Sequence, residues 1–349
     1  MDKETLTKVI KNMVLSSGAV AVGIATQETL EGGPPSTDLT YVLPEARSAI
    51  VFALPLDQGA IERFLKKEDM ASANIDNRRV NNMASGLALE VSEFLMMKGY
   101  KSVPLVANAT YRKDTPNGPY DEKPPVSHRY LAVRSGIGFF GKSGNVIMEK
   151  YGAAIILASV VTEAELIPTE PLPPGENYCD GCRLCMSACA SGLMSADEES
   201  TVTMGAVDFN YSKRRSYNRC EYVCGGFTGL HQSGKWSTWS PARFPIPEKD
   251  EEFLGALIKA VPAYRNRKKV DYGLYHALVP GSLLEFTCGH CQLICHPDKE
   301  VRKARYKMLI NSGVIIQDPD GRLRAVTPDE AKKHIAALDS EKRALYEEP

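Results

Sequence analysis

The chain has 349 residues, of which 43% are hydrophobic and 24% charged, and its formal net charge is −1. These values are typical of a soluble globular protein with room for two or three domains. A net charge near zero provides no overall field that would favour nucleic acid or a membrane surface. Two local segments, residues 211–220 and 264–270, are candidates for a basic patch. A solvated face is the alternative, and we favour it for both.

The first fifteen residues mix acidic and basic side chains and lack the apolar core of a secretory signal. The longest apolar run, residues 152–161, is half the length of roughly twenty residues that a membrane span needs. We therefore expect a cytoplasmic protein without a membrane partner. In that reducing compartment the nine cysteines are expected to bind metal rather than to form disulfides.

The first half of the chain alternates predicted strands and helices, which favours an α/β sandwich over residues 1–165. Its polar, proline-rich loop is long enough to be functional. In chain order the predicted elements are a helix (2–16), strands (18–25 and 47–56), a long helix with an Asp or Asn cap (76–98), a strand (103–107), the loop (111–128) and a buried strand (152–161).

A proline-rich linker, residues 167–178, precedes the part of the chain that holds every cysteine. The tail then predicts a hairpin over 313–326 and a helix over 327–346, where Thr327 and Glu330 form a capping box around Pro328 at the first helical position. The chain is thus divided into a cofactor- and substrate-binding domain (1–165), a double-cluster domain with an aromatic insertion (166–300, insertion 206–247) and a C-terminal hairpin and helix (301–349).

The cysteines form two runs, C-x2-C-x2-C-x3-C from Cys179 and C-x2-C-x3-C from Cys288, with two isolated cysteines between them. This spacing is typical of ferredoxin-like 4Fe–4S modules, in which the last cysteine of a run ligates the other cluster. Zinc sites instead favour two-plus-two spacing. We predict one cluster on Cys179, Cys182, Cys185 and Cys295, and a second on Cys189, Cys288, Cys291 and either Cys220 or Cys224.

A glycine–lysine segment, G-x-G-x-x-G-K over Gly136, Gly138, Gly141 and Lys142, precedes the buried strand at 152–161. Without a strand directly before it and an acidic residue at the expected distance, this pattern is weak evidence for a dinucleotide site. Small residues allow the backbone to approach a large flat ligand closely. A structural turn with a surface lysine is the alternative.

The glycine–lysine segment, followed in order by a strand, a linker and the cysteine module, resembles the epoxyqueuosine reductases and, more distantly, the reductive dehalogenases. The resemblance implies a cobalamin-dependent iron–sulfur reductase, with a flavin (FMN) as the alternative cofactor because the N-terminal sandwich of the family is similar to the nitroreductase scaffold. The implied fold class is therefore α+β, a sandwich followed by a ferredoxin-like double-cluster domain. The implied cofactor-binding residues are Gly136, Gly138, Gly141, Lys142, Ser143 and Asn145.

The chain departs from the family at the proton donor. Where the tRNA-modifying enzymes carry D-S-A-P-V, this chain has E-K-P-P-V, with Glu122 in the place of the aspartate. A glutamate acts as a general acid if burial raises its pKa. His128, Tyr130 and Tyr120 are alternative donors.

The tail over 301–349 is too short for the helical-repeat module with which those enzymes grip tRNA. Together with the changed donor, this argues for a small organic substrate and against tRNA or another nucleic acid partner. We expect electrons to come from a ferredoxin or flavodoxin and to pass through the two clusters to the corrinoid. An electron carrier that reduces a partner's corrinoid, and a flavin-dependent reductase, are the rival hypotheses.

The insertion carries six aromatic residues with two possible roles. They form either a lid over a cofactor face or the core of a self-packed insertion. The residues are Tyr211, Tyr217, Tyr222, Phe227, Trp236 and Trp239.

Overall fold

The computed structural model describes residues 1–105, 111–269, 274–275, 283–284 and 286–347. Its helices are α1 (Lys3–Ser16), α2 (Gln58–Leu65), α3 (Ala71–Met97), α4 (His128–Arg134), α5 (Leu184–Ser187), α6 (Tyr217–Cys224), α7 (Phe253–Asn266), α8 (His290–Leu293), α9 (Lys299–Ile310), α10 (Pro328–Ala336) and α11 (Ser340–Arg343). Its strands are β1 (Ala21–Thr26), β2 (Ser48–Pro55), β3 (Ser102–Leu105), β4 (Phe139–Phe140), β5 (Val146–Ile147), β6 (Ile155–Thr162), β7 (Met194–Met204), β8 (Val207–Arg214), β9 (Leu274–Tyr275), β10 (Leu283–Leu284), β11 (Val314–Gln317) and β12 (Leu323–Val326).

The chain divides into two compact units. The first unit comprises residues 1–56, 77–182 and 199–212, and the second comprises 57–76, 183–198 and 213–349. Both are discontinuous in sequence, unlike the three consecutive segments of the sequence-based division. Long-range packing is the reason: α2 packs against α9 inside the second unit, and the tail of the chain belongs to that unit as well.

The first unit is built on a four-stranded sheet in the order β1-β2-β6-β3, in which every pair of neighbours is antiparallel. β2 is a nearly continuous apolar run that is buried along its length, as expected of a central strand covered on both faces. α4 packs against β1, β2 and β6. Gly23 on β1 permits this packing, since a Cβ there would lie 2.3 Å from the Ser135 hydroxyl.

The second unit has an aromatic core between α6 and α7, where Tyr222, Phe227 and Phe253 are buried. Tyr222 and Phe227 stack with their planes 9° apart. Trp236 and Trp239 are also buried, and Trp239 Nε1 donates a hydrogen bond of 3.0 Å to the Phe64 carbonyl. Four of the six aromatic residues, Tyr222, Phe227, Trp236 and Trp239, therefore pack inside the second unit, as the self-packed alternative predicted. Tyr217 is half-buried, and a lid over a cofactor face stays a prediction.

Most of the predicted elements are confirmed at their centres. The capping box is present, with Thr327 Oγ1 accepting from the Glu330 N–H and Glu330 accepting from the Thr327 N–H. The long helix α3, however, begins at Ala71, and Asp76 does not cap it. The Asp76 carboxylate instead accepts the Asp57 N–H at 2.7 Å, within the second unit. Residues 106–107 of the predicted strand lie outside the described residues.

None of the helices described here has both the length and the apolar character that a bilayer crossing requires.

Candidate iron–sulfur and cofactor site

The glycine–lysine segment folds as a small hairpin of β4 and β5, in which Phe139 pairs with Ile147. Its turn is closed by the Gly141 N–H, which donates to the Asn145 carbonyl at 3.0 Å, and by the Gly144 N–H, which donates to the Gly141 carbonyl at 2.8 Å. Arg129 braces the same turn, because its guanidinium donates to the Gly144 carbonyl at 2.7 Å. Sequence reasoning missed Arg129, since no local pattern links it to the turn.

Two glycines of the segment are required by the chain itself. A Cβ at Gly136 would lie 2.4 Å from the Glu170 carbonyl oxygen, and one at Gly138 would lie 2.4 Å from the Ile147 carbonyl oxygen. Gly136 also has a φ of 73°, a conformation that favours glycine. The close approach at these two positions is to the chain's own backbone, and cofactor binding by them remains a prediction.

The turn of the hairpin contacts the first cysteine. The Lys142 N–H donates to Cys179 Sγ at 3.4 Å. Asn177 fixes the arrangement from both sides, because its amide donates to the Phe140 carbonyl at 3.2 Å and accepts from the Cys179 N–H at 3.0 Å. The predicted cofactor segment and a predicted cluster ligand therefore lie next to each other within the first unit.

The three polar residues of the turn have different surroundings. The Lys142 ammonium pairs with the Glu199 carboxylate, and both side chains are partly exposed. Ser143 is 2% exposed, and its hydroxyl accepts the Asn145 N–H at 3.3 Å. Ser143 therefore supports the turn from inside, and Lys142 is on its outer side.

Tyr130 is the proposed proton donor that lies against the hairpin. Its ring meets Phe140 of β4 edge-on at 6.0 Å between ring centroids, and its hydroxyl lies 3.0 Å from the Tyr211 hydroxyl. Tyr211 is also 4.7 Å from Phe140 between ring centroids. The three rings form one aromatic group within the first unit. Tyr211 of the predicted insertion therefore packs in this group.

The other donors occupy separate positions. His128 begins α4, and its Nδ1 lies 2.8 Å from the Ser159 hydroxyl. Glu122 is 8% exposed and has a left-handed backbone with a φ of 50°. The loop around it is ordered by buried Arg112, which stacks on Tyr41 and binds the Asp114 carboxylate. The side chain of Tyr120 lies outside the described part of the structure.

In the second unit, three other cysteines act electrostatically on Cys288. Burial raises the pKa of the Cys288 thiol above its ordinary value, and negative charge on Cys220, Cys291 and Cys189 raises that pKa further. The same four residues form the second ligand set predicted from the sequence, with Cys220 as its fourth member. A backbone N–H of His290 acts in the opposite direction and stabilises the thiolate of Cys288.

Helix α6 carries both candidates for the fourth position. Cys220 and Cys224 are one turn apart. Cys220 is among the groups that act electrostatically on Cys288 and on Arg214. The Cys224 carbonyl accepts the Thr287 N–H at 3.0 Å, next to Cys288. Which of the two cysteines is the fourth ligand therefore stays a prediction.

Two cationic side chains and one histidine accompany these thiols. Burial lowers the pKa of Lys67 to about 7, and the charge of Cys288 opposes that shift. Burial and the Lys67 charge lower the pKa of His290 to about 3, which keeps this ring neutral. The pKa of Arg214 is raised by Tyr217, Cys291 and Cys220 against the effect of burial.

The remaining cysteines of the predicted ligand sets are divided between the two units. In the first unit, the Cys182 N–H donates to the Asp180 carboxylate at 3.2 Å, and Cys182 is exposed. In the second unit, Cys185 lies on α5, which packs against α8 and α9. Burial lowers the pKa of Arg305, and the charges of Glu62 and Cys295 oppose that shift. Among the described residues, no three His, Cys, Asp or Glu side chains are already gathered as a metal site.

Comparison with known proteins extends the resemblance. No protein-family model matches the chain. The chain is 27% identical to an epoxyqueuosine reductase of Gloeobacter violaceus over 184 residues, which cover 51% of this chain and 50% of that protein. It is 29% identical to a tetrachloroethene reductive dehalogenase of Desulfitobacterium hafniense over 157 residues, which cover 45% of this chain and 25% of that protein. The chain thus spans half or less of these relatives' lengths.

Solved structures show the same two kinds of protein. A catabolic reductive dehalogenase, NpRdhA, in complex with 3-bromo-4-hydroxybenzoic acid superposes with a TM-score of 0.52 at 14% identity, covering 99% of this chain and 38% of that one. An epoxyqueuosine reductase with an epoxyqueuosine-modified tRNA-Tyr stem loop has a TM-score of 0.45 at 17% identity, covering 97% and 74%. The first likeness concerns the mixed α/β fold alone.

These comparisons correct two predictions. The prediction of a small organic substrate other than tRNA, and of partners among which nucleic acid is unlikely, is wrong, because the matched relatives include epoxyqueuosine reductases. The length of the tail and one changed carboxylate are not evidence about the substrate. The chain is similar in sequence to epoxyqueuosine reductases and, over a shorter stretch, to reductive dehalogenases.

Proposed function

We propose that this protein is an iron–sulfur reductase that acts on an epoxyqueuosine-type nucleoside of tRNA. The observation that carries the proposal is the hydrogen bond of 3.4 Å from the Lys142 N–H to Cys179 Sγ. It joins the predicted cofactor segment to the first residue of the cysteine runs within one unit. A reductase needs its electron carrier and its cofactor to be adjacent in this way.

Two 4Fe–4S clusters are proposed, each with four thiolate ligands. The first set, Cys179, Cys182, Cys185 and Cys295, rests on the cysteine spacing. The second set, Cys189, Cys220, Cys288 and Cys291, is supported by the electrostatic effects of the other three residues on Cys288 in the second unit.

The surroundings of the thiols fit such clusters. Backbone N–H groups donate to Cys179 and Cys288, and buried cationic groups interact with the second set. Hydrogen bonds and nearby charge of this kind stabilise cluster-bound sulfur and tune its reduction potential. When bound, the clusters and a corrinoid would supply the electrons for the reduction, with FMN as the alternative to the corrinoid.

The hairpin turn is the proposed position of that cofactor. Gly141, Ser143 and Asn145 shape the turn, and Lys142 offers a positive charge from its outer side. For the fold, we propose a nitroreductase-like scaffold in the first unit and a ferredoxin-like cluster module.

Reduction of an epoxide to an alkene takes two electrons and two protons and releases the oxygen as water. Tyr130 is the preferred proton donor, since its ring packs on Phe140 and its hydroxyl lies beside that of Tyr211. Paired hydroxyls of this kind hold a proton at a defined position. His128 and Glu122 remain proposed donors of second rank.

Helix α9 carries charges that suit an RNA backbone. Lys299, Lys303 and Lys307 are exposed and recur every four residues, which places them along one side of the helix. Lys303 is paired with Glu300, and all three ammonium groups of the row are accessible from solvent. Lysine rows bind phosphates as point charges, and such binding weakens as salt concentration rises.

The test is anaerobic purification followed by iron, sulfide and chromophore analysis. We expect about eight iron atoms per chain and a corrinoid spectrum, either on purification or after addition of cobalamin. We also expect binding of an epoxyqueuosine-containing stem loop that weakens with salt. A chain that retains no iron, or that binds neither corrinoid nor flavin, would contradict the proposal. The triple variant Lys299→Ala, Lys303→Ala, Lys307→Ala should weaken stem-loop binding without loss of iron.

A further inference from the structure

Lys67 is a buried cationic residue to which sequence reasoning assigned no role. It follows α2 and is 8% exposed. Its ammonium is hydrogen-bonded to the Ser312 hydroxyl. Within the part of the chain that the structure describes, no carboxylate lies within ion-pair distance of Lys67. Burying an ammonium without an opposite charge is costly, so the position calls for an anionic partner.

The backbone of Lys67 adds to that cost. Its φ is 56°, and it occupies the position just after the helix cap where glycine is usual. A lysine in this left-handed conformation is strained, whereas glycine is not. A strained conformation combined with a buried charge indicates that the side chain serves a purpose other than stability.

Cys288 is the candidate for that anionic partner. The end of α2 lies beside the Cys288 segment within the second unit, because the Phe64 ring is 6.2 Å from the His290 ring between centroids. Trp239 joins the same two segments, since it donates its indole N–H to the Phe64 carbonyl and its backbone N–H to the Thr287 carbonyl.

In agreement with this placement, burial lowers the pKa of Lys67 and the charge of Cys288 opposes that shift. A 4Fe–4S core with four thiolates is negatively charged, and reduction adds one further negative charge. A fixed positive charge beside such a group stabilises its reduced state more than its oxidised state.

We propose that Lys67 sets the reduction potential of the cluster held by Cys189, Cys220, Cys288 and Cys291 by supplying a buried positive charge. The inference rests on the proposed function, because it requires that cluster. In this role Lys67 is a positioning and tuning residue, and it touches neither substrate nor the reacting atoms.

The experiment is an anaerobic redox titration of the cluster-loaded protein, followed by electron paramagnetic resonance. In Lys67→Met the reduced-to-oxidised ratio of one cluster at a fixed potential should fall about tenfold, which is 59 mV for a one-electron couple. The other cluster should keep its midpoint. Lys66→Met is the matched control, since Lys66 is half exposed and pairs with Glu62, and it should shift neither midpoint.

Each outcome decides the inference. Unchanged midpoints in Lys67→Met with full iron content would overturn it. If Lys67→Met loses the cluster and Lys67→Arg keeps it, the need for positive charge supports the inference; if both lose the cluster, the role is structural and the inference is overturned. Absence of iron from the unsubstituted protein contradicts the proposed function itself, and that result is distinct from unmoved potentials.

Discussion

The two units surround their thiols in different ways. In the first unit, Cys179 receives a backbone N–H from Lys142 and is fixed by Asn177. In the second unit, other cysteines act electrostatically on Cys288. The cationic side chains of Lys67 and Arg214 interact electrostatically with cysteines of this set. Backbone dipoles are satisfied with or without a cluster, whereas a buried cation requires a counter-charge. The second unit is therefore expected to depend more strongly on its cluster.

The largest effect is expected from the fourth ligand of the second unit. Cys220→Ser should remove one cluster, lower the iron content by about half and abolish reduction of the substrate. Cys224→Ser is the control one helical turn away and should keep all of its iron. Iron and sulfide analysis checks this pair. Equal loss in both variants, or loss only in Cys224→Ser, would contradict the assignment.

The second effect concerns proton delivery in the first unit. Tyr130→Phe keeps the contact with Phe140 and removes the hydroxyl, so turnover should fall by about 100-fold while the clusters are still reduced normally. His128→Gln and Glu122→Gln are compared in the same assay, with cluster reduction followed by absorbance. Unchanged turnover in all three variants would instead support an electron carrier without substrate chemistry of its own.

A smaller effect tests the hydrogen bonds around Cys179. Asn177→Ala removes the donor to the Phe140 carbonyl and the acceptor for the Cys179 N–H. We expect a loss of about 1–3 kcal/mol in unfolding free energy and a changed midpoint for the first cluster only. Denaturant unfolding and redox titration measure the two quantities. A midpoint shift confined to the cluster of Cys288 would contradict the difference between the two units described above.

The smallest effect lies far from any thiol. Thr327→Ala removes the cap of α10 in the second unit and should lower the free energy of unfolding by about 1 kcal/mol. Midpoint potentials of both clusters should be unaffected, as thermal unfolding and redox titration of the same preparation will establish. A changed potential here would show that the second unit transmits strain to its thiols more widely than the structure indicates.

Features encoded locally could be predicted from the sequence. The capping box at Thr327 depends on two residues three positions apart, and the apolar run of β2 can be recognised from its own residues. The cysteine spacing likewise restricts the ligand sets, although it left Cys220 and Cys224 equivalent. Our preference for Cys220 rests on its electrostatic effect on Cys288, which depends on contacts between distant parts of the chain.

Other features depend on contacts between distant parts of the chain. Lys67 is more than two hundred residues from Cys288 in sequence, and no periodicity marks a single buried lysine. The start of α3 was missed for a similar reason, since the Asp76 carboxylate is occupied by the Asp57 N–H. The substrate was mispredicted because substrate recognition depends on surfaces, and the length of a tail does not describe a surface.

The most direct test of the central claim is nucleoside mass analysis after anaerobic incubation of the cluster-loaded protein with a chemical reductant and an epoxyqueuosine-containing tRNA stem loop. The account predicts loss of the epoxide oxygen from the nucleoside in the presence of the corrinoid, and no loss with Cys220→Ser. An unchanged nucleoside, with both clusters and the corrinoid bound and reduced, would contradict it.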